Sequence, residues 1–81
     1  MNVKEKVFCF LNAKGEIPGA TEEEKLKCDY LELGIIDSLG IVEMIAEFEQ
    51  EFGIHFESDH LSAQDFRIVG GLINLIEQMK K

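Results

Sequence analysis

Apolar residues return at helical spacing in three stretches of this chain. Val3, Val7, Phe10 and Leu11 form one stripe, widened by Phe8 and Cys9. With Asn2 as its cap, that stripe predicts a first helix from about Asn2 to Ala13. Ile41, Met44, Ile45, Phe48 and Phe52 predict a second helix from Asp37 to Phe52, which Gly53 ends. Val69, Leu72, Ile73, Ile76 and Met79 predict another from Ile68 to Lys80. Lys80 and Lys81 suit the negative end of its dipole.

The segments between these helices carry weaker signals. Gly15, Pro18 and Gly19 end the first helix and open a long loop reaching Ile36. Thr21 to Glu24 reads as a capping box, so a turn or two of helix is expected after it. Leu26, Tyr30, Leu31, Leu33, Ile35 and Ile36 should form an apolar underside packed on the bundle. Ile54 and Phe56 read as an extended connection. Ser62-Ala63-Gln64-Asp65 reads as a second capping box, starting a short helix that ends near Phe66. The expected fold is all-α. It is a small antiparallel four-helix bundle of three main helices plus one short one, with a long first loop, in one domain spanning residues 1–81.

Charge narrows the partners. Sixteen acidic residues against 8 basic ones give a formal net charge of -8. Such a surface repels nucleic acid and anionic membranes, and suits basic patches on partner proteins. Cys9 and Cys28 lack metal-type spacing and are too few for a disulfide framework. Cys9 reads as a small apolar residue of the first helix, and Cys28 as a partly exposed one. Two free thiols fit a reducing cytoplasm. No apolar run reaches the roughly 20 residues of a membrane span, and Met1 to Lys6 has no apolar signal core, so a cytoplasmic monomer is expected.

The candidate chemistry lies at the start of the second helix. Asp37 is a good cap whose carboxylate can accept the N–H of Leu39 or Gly40. That places Ser38 in the first turn with its hydroxyl outward, where the helix dipole favours an anionic group. No histidine or second nucleophile adjoins Ser38 in sequence, so this serine reads as a site that other enzymes modify. Glu43, Glu47, Gln50 and Glu51 lie opposite the core face. Leu39, Val42 and Ala46 form a narrow apolar strip beside them, open either to partners or to packing under the first loop.

Gly34-Ile35-Ile36-Asp37-Ser38-Leu39, followed by Glu43, Glu47-Phe48-Glu49-Gln50-Glu51-Phe52 and Gly53-Ile54, resembles the acyl carrier protein family. In that family the serine of a D-S-L motif accepts 4'-phosphopantetheine from coenzyme A. The resemblance is densest from Leu33 to Phe56, and Leu61, Phe66, Val69, Ile73 and Ile76 extend it. It implies that Ser38 carries the prosthetic arm. It also implies that Asp37, Leu39, Val42, Glu43, Glu49 and Gln50 meet partner enzymes, and the helical reading adds Ala46 and Glu47 to that set. The implied partners are a phosphopantetheinyl transferase, an acyl-loading ligase or transferase, and downstream acyl-using enzymes of lipid or specialised acyl metabolism.

Two departures shift the subtype. Two residues, Ile35 and Ile36, separate Gly34 from Asp37, where carriers of primary fatty-acid synthesis usually have one. Gly40 stands where those carriers often have an acid. The spelling is more similar to specialised acyl carriers, with D-alanyl carriers as the near alternative. The latter tend to have Phe where Leu39 stands.

Other readings compete with a carrier. A helical interaction module without a prosthetic group would dispense with Ser38. A calcium loop starting at Asp29 fails because Leu31 and Leu33 fall on ligand positions and Gly40 stands where a bidentate Glu is needed. A hydrolase lacks the Gly-x-Ser-x-Gly elbow. His55 and His60 show no metal-ligand pattern, and His60 reads as solvated. Gly70 and Gly71 cost helix stability, by about 1 kcal/mol each relative to Ala. They mark either close packing or a frayed start, or else room for an acyl chain inside the bundle. On the last reading, Ala at both positions should raise stability and hinder long acyl chains.

Overall fold

The computed structural model of the chain describes residues 2–80. Each amphipathic stripe becomes a helix turned inward. Helix α1 spans Val3–Lys14, and the Asn2 side chain caps it by accepting the Glu5 N–H at 2.8 Å. Val3, Val7 and Leu11, spaced by four, are its buried residues. Cys9 does not widen this stripe. It sits two residues from Val7, on the far side of the helix, and is exposed. Phe8 and Phe10 flank the buried row half-exposed, and Phe10 meets Phe48 edge-on at 5.4 Å between ring centroids.

Thr21 opens the short helix α2, Glu22–Leu26, by accepting the Glu24 N–H at 3.2 Å. Helix α3, Ser38–Phe52, buries Gly40, Met44 and Phe48, while Ile41, Ile45 and Phe52 sit half-buried beside them. Burying Met44 and Phe48 contributes about 1.5–3 kcal/mol for each side chain. Gly53 ends α3 in the left-handed region at φ 66°, where a residue without Cβ is favoured, and its N–H bonds to the Glu49 carbonyl at 3.0 Å. Ile54 and Phe56 follow in an extended segment, both buried.

The next segment differs from expectation. A short helix α4 forms over Ser58–Ser62 with Glu57 as its N-cap residue. Ser62, expected to start a helix, ends this one, and its hydroxyl donates back to the Ser58 carbonyl at 3.0 Å. A 3-10 turn, Gln64–Arg67, then carries the buried Phe66 into helix α5, Val69–Met79. Val69, Leu72, Ile73 and Ile76 are buried along α5, and Met79 is half-buried. Lys80 lies over the Phe52 ring at 5.3 Å; Lys81 falls outside the described residues.

Among the described residues the result is an all-α bundle with one isolated antiparallel bridge, Asp29 to Ile68. Helices α1 and α3 run antiparallel: Lys14 pairs with Glu43 at 3.6 Å, while Lys6, near the other end of α1, pairs with Glu47 at 3.1 Å and Glu51 at 3.9 Å. One core joins Val7 and Leu11 of α1, Met44 and Phe48 of α3, and Leu72 and Ile76 of α5, with Ile17 and Tyr30 from the loop. Within that loop Tyr30 and Ile36 are buried and Leu26, Leu31 and Ile35 half-buried, but Leu33 points out, 51% exposed.

Gly70 and Gly71 are packing residues. A Cβ on Gly70 would meet the Leu26 carbonyl oxygen at 3.0 Å, and one on Gly71 would meet the Asp65 carbonyl oxygen at 2.4 Å. Backbone already fills the space that an acyl chain would need there. The expectation that Ala at both positions stabilises the bundle is therefore reversed.

Candidate functional site

Asp37 ends the loop in an extended conformation, and its Oδ1 accepts the Gly40 N–H at 2.8 Å. This is local capping, and it needs no distant residue. Ser38 thereby becomes the first residue of a 15-residue helix, and both Asp37 and Ser38 are exposed. The N–H groups of this first turn and the helix dipole make the position around Ser38 favourable for a phosphate.

The rest of α3 sorts its flank residues. Leu39 is 69% exposed and Val42 63%, and Ala46 and Gln50 are exposed with them. The apolar strip does not pack under the first loop. Glu43 and Glu47 are exposed too, but Lys14 and Lys6 of α1 lie against them. The Glu47 hydrogen bond chiefly raises the Lys6 ammonium above its ordinary value. Glu49 turns to the connection after α3: its Oε2 accepts the Phe56 N–H at 2.8 Å and lies 3.2 Å from His55 Nδ1. The surface exposed along α3 beyond Ser38 is therefore a band of Leu39, Val42, Ala46 and Gln50, with paired carboxylates along one edge.

The loop before Asp37 is held by residues whose roles sequence reading missed. Asp29 Oδ1 accepts the N–H groups of Leu31 and Glu32 at 3.1 and 2.9 Å, and its Oδ2 pairs with Arg67 Nε at 2.6 Å. Burial alone would raise the Asp29 carboxyl, but the Glu32 N–H and the Arg67 guanidinium outweigh it and hold it below the usual carboxylate range. Tyr30 is fully buried and its hydroxyl donates to the Phe66 carbonyl; burial, and then the Asp29 charge, push its phenol upward. Backbone bonds from Tyr30 N to Arg67 O and from Val69 N to Cys28 O, at 3.2 and 3.0 Å, complete this staple. Apart from the Leu31 and Glu32 N–H groups on Asp29, every partner lies more than thirty residues away, so no local pattern could have found the staple. His60 is likewise no free side chain, because its Nδ1 accepts the Glu57 N–H at 3.0 Å.

Among the described residues, no group of three or more His, Cys, Asp or Glu side chains could hold a metal ion, and no helix is long and apolar enough to cross a membrane. Residues 15–76 match the family described as phosphopantetheine attachment site. The chain belongs to that family. This phosphopantetheine carrier is 31% identical over 80 residues to a D-alanyl carrier protein of Streptococcus suis strain 98HAH33, covering 94% of this chain and 98% of that protein. It is 30% identical, over the same shares, to the D-alanyl carrier protein of strain 05ZYH33. The carrier reading of the sequence therefore holds. Its prosthetic group is phosphopantetheine from coenzyme A, and a carrier domain supplies attachment and recognition while the arm supplies the chemistry. The leaning towards a specialised acyl carrier finds no counterpart in these relatives, and the aminoacyl alternative does.

Proposed function

We propose that Ser38 carries the phosphopantetheine arm and that the chain is an aminoacyl carrier of the D-alanyl type. The observation supporting the attachment point is the exposed Ser38 in the first turn of α3, behind a cap that Asp37 closes onto Gly40. The relatives' printed name, over nearly the full length of each chain, supports the cargo. In the attachment step the Ser38 oxygen forms a bond to the phosphorus of coenzyme A that bears the pantetheine. The bond from that phosphorus to the bridging oxygen breaks, 3',5'-adenosine bisphosphate leaves, and the serine proton passes to a base of the transferase. When bound, the group supplies a thiol that holds an acyl group as a thioester.

The chain's own residues then present the arm. Asp37 and Gly40 fix the first turn, and the helix N-terminus favours the phosphodiester. Leu39, Val42 and Ala46, with Gln50, Glu43 and Glu47 beside them, form the face on which a phosphopantetheinyl transferase and an aminoacyl-adenylating ligase dock. Glu49 belongs to the scaffold in this reading, since it already bonds Phe56 N–H. Tethering raises the local concentration of cargo at the partner's centre.

Intact mass spectrometry tests the attachment. After incubation with coenzyme A and a broad phosphopantetheinyl transferase, wild type should gain one arm and Ser38→Ala none. An arm on the Ser38→Ala protein would overturn the assignment, and an interaction module would gain no arm in either form. The holo protein is then offered to D-alanyl-adenylating and fatty-acyl-adenylating ligases. Loading with D-alanine alone supports the aminoacyl reading, and loading with fatty acids alone would replace it with the specialised acyl carrier.

A further inference from the structure

Beside Ser38 lies an open depression walled by Leu31, Ile36 and Ile41, with Asp37 and Ser38 at its rim. Ile36 is 3% exposed, and Leu31 and Ile41 are half-buried. Gly40 makes this shape possible. A Cβ there would stand 2.7 Å from Cγ2 of Ile36, so only a residue without a side chain lets Ile36 lie against the first turn of α3 and close the bottom. Further along α3, Met44 and Phe48 are fully buried in the core. The depression itself is an open apolar seat bordered by Ser38.

Resting on the reading that Ser38 carries the arm, we propose that this seat holds the arm's geminal dimethyl group. In phosphopantetheine the phosphate is joined through one methylene to a quaternary carbon bearing two methyls. Beyond it come a hydroxyl, two amides and the thiol. The dimethyl carbon is the arm's compact apolar part and also the part tethered closest to Ser38, so it cannot travel far from a seat that Ser38 itself borders. Docking it removes apolar surface from water on both sides. The amides and thiol then lead outward, and the cargo stays in solvent. Such a seat places no demand on cargo length and leaves the thioester open to partner enzymes. Leu31 also walls the adjoining cleft with Leu61 and Arg67, which offers the arm an alternative resting place.

Methyl-resolved NMR of the apo and holo full chain tests this, with intact mass confirming the arm on Ser38. Nuclear Overhauser contacts are expected from the arm's two methyls to methyls of Leu31, Ile36 or Ile41, and not to those of Leu61. Leu31→Gln, at a half-buried loop position, should abolish the contact to residue 31 and weaken the others while the mass added by the arm is unchanged. A protein that bears the arm on Ser38 yet shows no contact to these three side chains, or shows contacts to Leu61, overturns the seat while sparing the attachment. An arm absent from Ser38 removes both. The wild-type contacts decide the matter even if the variant folds poorly.

Discussion

The first turn of α3 and the first turn of α5 solve the same problem in opposite ways. Both must satisfy backbone N–H groups that have no partner inside the helix. At α3 a single polar side chain, Asp37, bonds the Gly40 N–H three residues on. At α5 the residue before the helix is Ile68, which offers no side-chain cap. There the Val69 N–H bonds to Cys28 O, and Gly70 and Gly71 press against the backbone of Leu26 and Asp65. One start is self-contained and open; the other is closed by distant chain. In the reading proposed above, the first kind of start leaves Ser38 open to a second protein, and the second kind ties down the loop that leads to it.

The largest effect should come from the closed start. Gly71→Ala puts a Cβ 2.4 Å from the Asp65 carbonyl oxygen, an overlap with backbone that no rotamer relieves. Overpacking of this kind costs about 3 kcal/mol, against a helix-propensity gain of about 1 kcal/mol. Urea unfolding should show a net loss of about 2 kcal/mol, the difference between those two values. An unchanged midpoint would mean that α5 is not closed against the 3-10 turn as described. Gly70→Ala should cost less, since its nearest atom, Leu26 O, lies at 3.0 Å.

Tyr30→Phe should come next. It leaves the buried Phe66 carbonyl without the hydroxyl that now serves it, at a cost of about 1–2 kcal/mol. The arm should still attach to Ser38 at the wild-type rate, because α3 caps itself. Slower attachment in this variant would show that the staple does reach the first turn of α3.

The staple also carries a pH signature. Asp29 is held below the usual carboxylate range in the folded chain, so its contribution is present above the unfolded value of about 4 and is lost as pH falls through the lower folded value. Wild type should lose stability over that acid range faster than Asp29→Asn. Parallel stability curves for the two proteins would remove Asp29 from the staple's energetics.

This contrast also explains what was legible in the sequence. Asn2, Thr21 and Asp37 each cap within three residues, so the starts of α1, α2 and α3 could be read from local pattern. The stripes on α1, α3 and α5 were equally plain because burial follows the helical period. Helix α4 was missed because its cap pairs Glu57 with His60, outside the usual residue types, and the Ser62 signal drew the start four residues too late. Asp29, Tyr30 and Arg67 were illegible as a staple because their partners come from the other end of the chain. The candidate site shared the same division. Ser38, Leu39 and Val42 follow from a helix wheel, whereas the apolar seat of Leu31, Ile36 and Ile41 exists only once the loop has folded back.

The smallest effect on stability should accompany a large effect on recognition. Leu39→Gln changes a side chain that is 69% exposed and belongs to no core cluster. Its stability should stay within about 0.5 kcal/mol of wild type, as for other surface changes. Yet if the Leu39, Val42 and Ala46 face is where partners seat, removing its most protruding apolar side chain removes contact area at the centre of that seat. Loading of the holo protein by its ligase should then fall through a raised KM, with kcat little changed, because the arm and its thiol are untouched. A fall in kcat alone would mean that Leu39 orients the arm. No change in either constant would place the docking face elsewhere, with the paired carboxylates Glu43 and Glu47 next in line, and loading that weakens with added salt would then identify them.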